Sequence, residues 1–128
     1  MTTPTRFILI DDNEADNVFH EIMIRRAGFD GELLIYEDAS EALAFLQKDS
    51  LITPTCIFLD INMPLMDGFE FARNAAHLLS GKTTVRLMML TSSDAPQDRK
   101  IASEMPLIQD FITKPLTVQK VRDLLMGD

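Results

Sequence analysis

The 128-residue chain has a single cysteine, Cys56. One thiol excludes an internal disulfide and a multi-cysteine zinc site. Basic residues are also scarce, 12 Lys and Arg against 20 Asp and Glu, which leaves a formal net charge of −8. An acidic surface repels phosphate backbones, so direct nucleic-acid binding is not expected. No apolar run approaches the roughly 20 residues that a membrane helix requires. The apolar run near the N-terminus is interrupted by Asp11 and Asp12, so no signal-peptide core follows Arg6. Glycines and prolines are few, 5 and 6, and no linker, repeat or low-complexity tract divides the chain. What remains is a globular composition, 46% apolar and 25% charged. A chain of this length buries a core without metal or disulfide staples. The expectation is one cytoplasmic domain over residues 1–128, with no membrane insertion.

Short apolar runs alternate with helical patterns. Phe7 to Ile10 is continuous and apolar, as in a strand buried on both faces. Ala15, Val18, Phe19, Ile22 and Met23 then take helical spacing as one inward face, and Gly28 is placed to end that helix in a left-handed cap. Leu33 to Tyr36 reads as a second strand. Asp38 and Glu41 have capping-box spacing before a helix carrying Ala42, Leu43, Phe45 and Leu46. After the turn at Pro54, Cys56 to Leu59 is a third strand. Asp67 and Glu70 cap a helix that runs to about Leu79 and breaks at Ser80-Gly81. Val85 to Leu90 is the fourth strand, Pro96 to Met105 a short helix, and Leu107 to Ile112 the fifth strand. Thr117 opens a last helix with Val118, Val121, Leu124 and Leu125 inward. Strands that alternate with helices build right-handed crossovers and a doubly wound α/β fold, a parallel sheet covered by helices on both faces. The fourth helix has a thin apolar stripe (Ile101, Ala102, Met105), which makes it the element most free to move.

Ligands of an open parallel sheet bind beyond the carboxyl ends of its strands. Here the first strand ends in Asp11-Asp12, the third in Asp60, the fourth in Thr91 and the fifth in Lys114. Converging carboxylates repel one another unless a cation lies among them, and hard oxygen donors in this number suit Mg²⁺. A lysine and a hydroxyl on the same rim complete a site for a phosphoryl group.

The segments Ile10-Asp11-Asp12-Asn13, Leu59-Asp60 through Asp67-Gly68, Thr91-Ser92 and Lys114-Pro115 resemble the signatures of bacterial response-regulator receiver domains of the CheY-like type. The resemblance runs from about Arg6 to Met126, and it implies a five-stranded sheet in the order 2-1-3-4-5 with five helices. It implies Asp60 as phospho-acceptor. Asp12 would ligate Mg²⁺ directly and Asp11 largely through water, with Asp60 and the backbone carbonyl of Asn62 completing the protein ligands. Thr91 would bond a phosphoryl oxygen, aided by the Ser92 backbone N–H, and Lys114 would pair with the phosphoryl group. The Lys114-Pro115 bond would be cis. Thr91 and Phe111 would form the switch that alters the face of helix four, strand five and helix five. Phe111 replaces the tyrosine often found there. Asn62 and Ser93 would border the path of hydrolytic water. The phosphoryl donor would be a sensor histidine kinase or a histidine phosphotransfer protein. With nothing after Asp128 to act as an output, the signal would pass to a downstream protein partner.

Other readings compete. A Mg²⁺-dependent aspartyl-phosphate phosphohydrolase carries its nucleophile on the first strand and a second acid two residues later. Here the nucleophile is on the third strand and that position is Asn62. A pseudo-receiver that binds partners without phosphorylation usually lacks an acid, the acceptor or the lysine, and none is missing. A flavodoxin-like cofactor carrier would need a less acidic loop than residues 11–16. Among the other notable side chains, Cys56 reads as a small core residue, and His20 and His77 as solvated or partly buried. Met63 and Met66 read as loop packing. Phe69 and Phe71 flank Glu70, a spacing that leaves one of them partly exposed on a helix.

Overall fold

The computed structural model describes residues 3–126. The elements alternate as read: β1 (Arg6–Ile10), α1 (Glu14–Arg26), β2 (Glu32–Tyr36), α2 (Ala39–Lys48), β3 (Thr55–Leu59), α3 (Gly68–Leu79), β4 (Val85–Thr91), α4 (Pro96–Ser103), β5 (Ile108–Thr113) and α5 (Val118–Leu125). All strand pairs are parallel, in the order β2-β1-β3-β4-β5.

The three central strands, β1, β3 and β4, are buried along their whole length. Their side chains alternate between two cores, as the pleat requires. Ile8, Ile10, Ile57, Leu59, Leu87 and Met89 meet α2, α3 and Ala102 of α4. Phe7, Leu9, Cys56, Phe58, Met88 and Leu90 meet Ile24 of α1 and Val121 and Leu124 of α5. Cys56 is fully buried, and burial pushes its thiol up to about 12, so it is an inert core residue. The edge strands β2 and β5 are only half buried, because each has a neighbour on one side alone.

The helix ends follow their side chains. Gly28 follows α1 with φ of +100°, and Gly81 follows α3 with φ of +79°. Asp67 accepts from the Glu70 N–H, and the Glu70 carboxylate accepts from the Asp67 N–H, closing the capping box. Asp38 caps α2, accepting from the Ser40 N–H at 2.8 Å, and Thr117 caps α5, accepting from the Lys120 N–H. α4 has no side-chain cap, and only Ala102 is buried in it. Among the described residues no helix is long and apolar enough to cross a membrane.

Several expectations fail in instructive places. Helix α1 is rotated away from its apolar stripe. Its buried residues are Asn17, His20 and Ile24, while Val18, Phe19 and Ile22 are 51%, 42% and 41% exposed. The Asn17 amide donates to the Asp11 carbonyl at 2.8 Å, which fixes the rotation from the loop end. His20 is therefore buried, not solvated, whereas His77 is exposed. Phe69 and Phe71 are both buried, in one cluster with Ile61 and Met63 of the preceding loop.

Candidate functional site

The sheet ladder carries the site residues past the ends of the strands. The Asp11 N–H donates to the Tyr36 carbonyl at 3.0 Å, the Asp60 N–H to the Ile10 carbonyl at 3.0 Å, and the Lys114 N–H to the Thr91 carbonyl at 2.8 Å. Asp11, Asp60, Thr91 and Lys114 thus start from backbone as ordered as the sheet itself. The Lys114-Pro115 bond is cis. Gly68 permits the start of α3 to approach the Asp60–Ile61 backbone closely. A Cβ there would collide with the Asp60 carbonyl and lie 2.9 Å from the Ile61 Cα. The Gly68 N–H instead donates to the Ile61 carbonyl at 2.8 Å, locking the loop beneath Asp60.

Carboxylate oxygens of Asp11, Asp12 and Asp60 lie within 4.8 Å of one another. Asp11 and Asp60 are buried and Asp12 faces solvent. Burial first, and the Asp11 charge second, push the Asp60 carboxyl above the ordinary aspartate range. Lys114, a hydrogen bond from Thr91 and the Ile61 N–H at 2.9 Å oppose that shift. The Asp11 carboxylate accepts from the Asn13 N–H at 2.9 Å.

Lys114 is the cation of the pocket. Its Nζ is 2.7 Å from Asp11 Oδ2, 2.7 Å from Asp16 Oδ2 and 3.6 Å from Asp60 Oδ2. Burial works against its charge, but the bonds to Asp11 and Asp16 and the charge of Asp60 outweigh it and hold the ammonium above the ordinary lysine value. Clustered acids around one ammonium form an oxygen-rich pocket of net negative charge. Such a donor set fits a hard divalent cation, whose charge would relieve the repulsion that raises Asp60.

Thr91 lies at the centre of the rim. Its hydroxyl reaches Asp60 and accepts from the Ser93 N–H at 3.2 Å. Ser93 Oγ donates to Asp98 of α4 at 2.6 Å. Ser92 and the Asn62 side chain are exposed at the rim. Phe111 is half buried, with the Arg99 guanidinium 4.6 Å above its ring centroid, and Arg99 also donates to Thr113 at 3.0 Å.

The family model for the response regulator receiver domain matches residues 7–126. The chain belongs to this receiver family. The receiver is 31% identical to the sensory transduction protein BceR of Bacillus subtilis over 110 residues, 86% of this chain but 43% of that protein. It thus spans less than half of BceR. It is 27% identical over 128 residues to the response regulator Rcp1 of Synechocystis, covering 97% of this chain and 86% of that one. A crystal structure of Mn(2+)-bound Rcp1 superposes with a TM-score of 0.72 at 25% identity, over 97% and 91% of the two chains. The response regulator receiver protein of Dyadobacter fermentans superposes with a TM-score of 0.84 at 29% identity, over 94% of each chain. Receiver domains bind a divalent metal at an acidic pocket and interact with kinases or phosphotransfer proteins and with downstream effectors.

Sequence reading missed two members of this site. Asn17 holds the Asp11 carbonyl, and Asp16 holds Lys114. Asp16 stood in plain view in the acidic stretch of residues 11–16, but its role depends on where the first turn of α1 points.

Proposed function

We propose that this receiver accepts a phosphoryl group on Asp60 from a phosphohistidine of a sensor histidine kinase or a histidine phosphotransfer protein, in the cytoplasm, and passes the signal to a partner protein. The observation that carries this reading is a buried aspartate with a raised pKa, 3.6 Å from a lysine and within 4.8 Å of two further acids. An Asp60 Oδ would attack phosphorus as the bond from phosphorus to the imidazole nitrogen breaks, and the imidazole leaves with the electron pair. Thr91 and Lys114 then bond the transferred group, with the Ser92 N–H beside them.

Asp11, Asp12, Asp60 and the Asn62 backbone carbonyl would hold the divalent cation, which we take to be Mg²⁺. A bound cation would supply neutralisation of the carboxylates and of the phosphoryl oxygens. The Mn(2+)-bound form of Rcp1 supports a divalent ion of this size class. With Asn62 in the place of a second acid, the domain lacks the proton donor of a turnover phosphohydrolase. It would act on itself alone, as a single domain over residues 1–128.

The exposed stripe of α1 supports a protein donor. Helix α1 adjoins the pocket through Asp16 and Asn17 and exposes Val18, Phe19 and Ile22, and we take this exposed apolar face to be where the donor protein docks. The first test is intact mass after incubation with Mg²⁺ and acetyl phosphate. Wild type should gain one phosphoryl group, which should be lost in Asp60→Ala and on removal of Mg²⁺. No adduct on wild type, together with no binding of beryllofluoride, would sink the assignment.

A further inference from the structure

Asp16 has no part in the receiver signature, yet it makes one of the two shortest contacts to Lys114. An ammonium has three N–H bonds. Two of them are spent on Asp11 Oδ2 and Asp16 Oδ2, each at 2.7 Å, while Asp60 Oδ2 at 3.6 Å is beyond hydrogen-bond length. Lys114 in the resting protein is thus drawn to the α1 side of the pocket and away from the acceptor. The two carboxylates that hold it differ in one respect. Asp11 belongs to the cluster that suits a cation, so its grip on Lys114 weakens when a cation takes its charge. Asp16 lies outside that cluster, is half exposed, and keeps its claim throughout.

We infer that Asp16 is a restraining residue of the phosphoryl site, competing with the phosphoryl group on Asp60 for the Lys114 ammonium. This rests on the reading of Asp60 as acceptor. Two effects act in the same direction. Lys114 has one N–H left for a phosphoryl oxygen, but Asp16 holds the ammonium 3.6 Å from Asp60 Oδ2 and resists the shift that would bring that N–H to a group on the acceptor, and the Asp16 charge repels the dianion that arrives. Asp16 is therefore a positioning residue that sets how readily the site fills.

The test compares wild type, Asp16→Asn and Glu14→Gln. Glu14 is the matched control: it is exposed, shares the first turn of α1, and lies outside the Lys114 contacts. With saturating Mg²⁺, beryllofluoride titrated against amide resonances should bind Asp16→Asn roughly fivefold more tightly than wild type, the range expected for one partly exposed ion pair. Uptake from acetyl phosphate should quicken by a similar factor, and Glu14→Gln should match wild type on both counts. A second readout needs no phosphoryl chemistry. In Mg²⁺-free protein the Lys114 ammonium protons should exchange slowly in wild type and faster in Asp16→Asn. Equal or weaker beryllofluoride binding in Asp16→Asn would overturn the inference, as would an equal gain in Glu14→Gln or an unchanged ammonium signal. Failure of wild type to bind beryllofluoride while the ammonium signal responds would instead remove the acceptor reading on which the inference rests.

Discussion

At the scale of single residues, Asp60, the proposed acceptor, is held at a cost to stability. Burial and the Asp11 charge raise the Asp60 pKa in the folded chain, so folding favours its protonated form. A raised folded pKa contributes stability at low pH that is lost as pH rises through it, and at neutral pH the charged Asp60 weakens the fold. Asp60→Asn should therefore lose phosphoryl uptake yet gain on the order of 1 kcal/mol in thermal unfolding without Mg²⁺. With Mg²⁺ present the gap should close, because the cation stabilises wild type by binding the native state. A variant less stable than wild type in Mg²⁺-free buffer would contradict this account. The residues that showed themselves in the sequence, Asp11, Asp12, Asp60, Thr91 and Lys114, all continue a strand, and strand ends can be read from apolar runs. Asn17 and Asp16 escaped because they sit on a helix, where 100° per residue makes direction depend on packing.

At the scale of elements, α1 shows how far periodicity can mislead. Its apolar residues do recur at helical spacing, but they face outward, and the inward face is Asn17, His20 and Ile24. A stripe marks a face that wants covering; it does not say whether the protein's own core or another protein covers it. Phe19→Ser should cost little stability, within about 0.5 kcal/mol for an exposed site. It should leave uptake from acetyl phosphate intact and slow transfer from a protein phosphodonor. Equal slowing with both donors would remove the docking role. A different element is pinned by charge. Arg6 is buried where β1 begins and meets Asp49, just past α2, at 2.9 and 3.3 Å, as well as Thr55 at 2.9 Å. The Arg6 bond holds the Asp49 carboxyl below the ordinary aspartate value. A depressed folded pKa gives stability that is present above the ordinary value and lost as pH falls through the folded one. Asp49→Ala should lose about 3 kcal/mol at neutral pH by leaving Arg6 with weaker partners. Urea unfolding at several pH values should show a shallower acid limb than wild type; an unchanged limb would assign the acid sensitivity elsewhere.

At the scale of the whole molecule, the proposed function requires a route by which phosphorylation of Asp60 would reach α4 and β5. The central strands leave no slack, since β1, β3 and β4 are buried along their length. The soft element is α4, which has no side-chain cap and one buried residue. A continuous set of contacts joins the two. Thr91 lies beside Asp60, the Ser93 N–H donates to the Thr91 hydroxyl, and Ser93 Oγ holds Asp98 at the start of α4. The next residue, Arg99, covers Phe111 and bonds Thr113 of β5. We propose that a phosphoryl group drawing the Thr91 hydroxyl would pull on the Ser93 amide, and that the first turn of α4 would follow because the helix has no side-chain cap and one buried residue. Thr91→Val keeps the branched shape and removes the hydroxyl. It should bind beryllofluoride about 10- to 100-fold more weakly, the worth of one hydrogen bond to a charged group. At saturation its α4 and β5 amide resonances should stay at their resting positions, while those of wild type move. Arg99→Ala should do the opposite, displacing the Phe111 ring signals before any ligand is added and leaving beryllofluoride affinity close to wild type. Full movement of α4 in saturated Thr91→Val would show that the signal travels by another route, with Lys114 and the β5–α5 turn next in line.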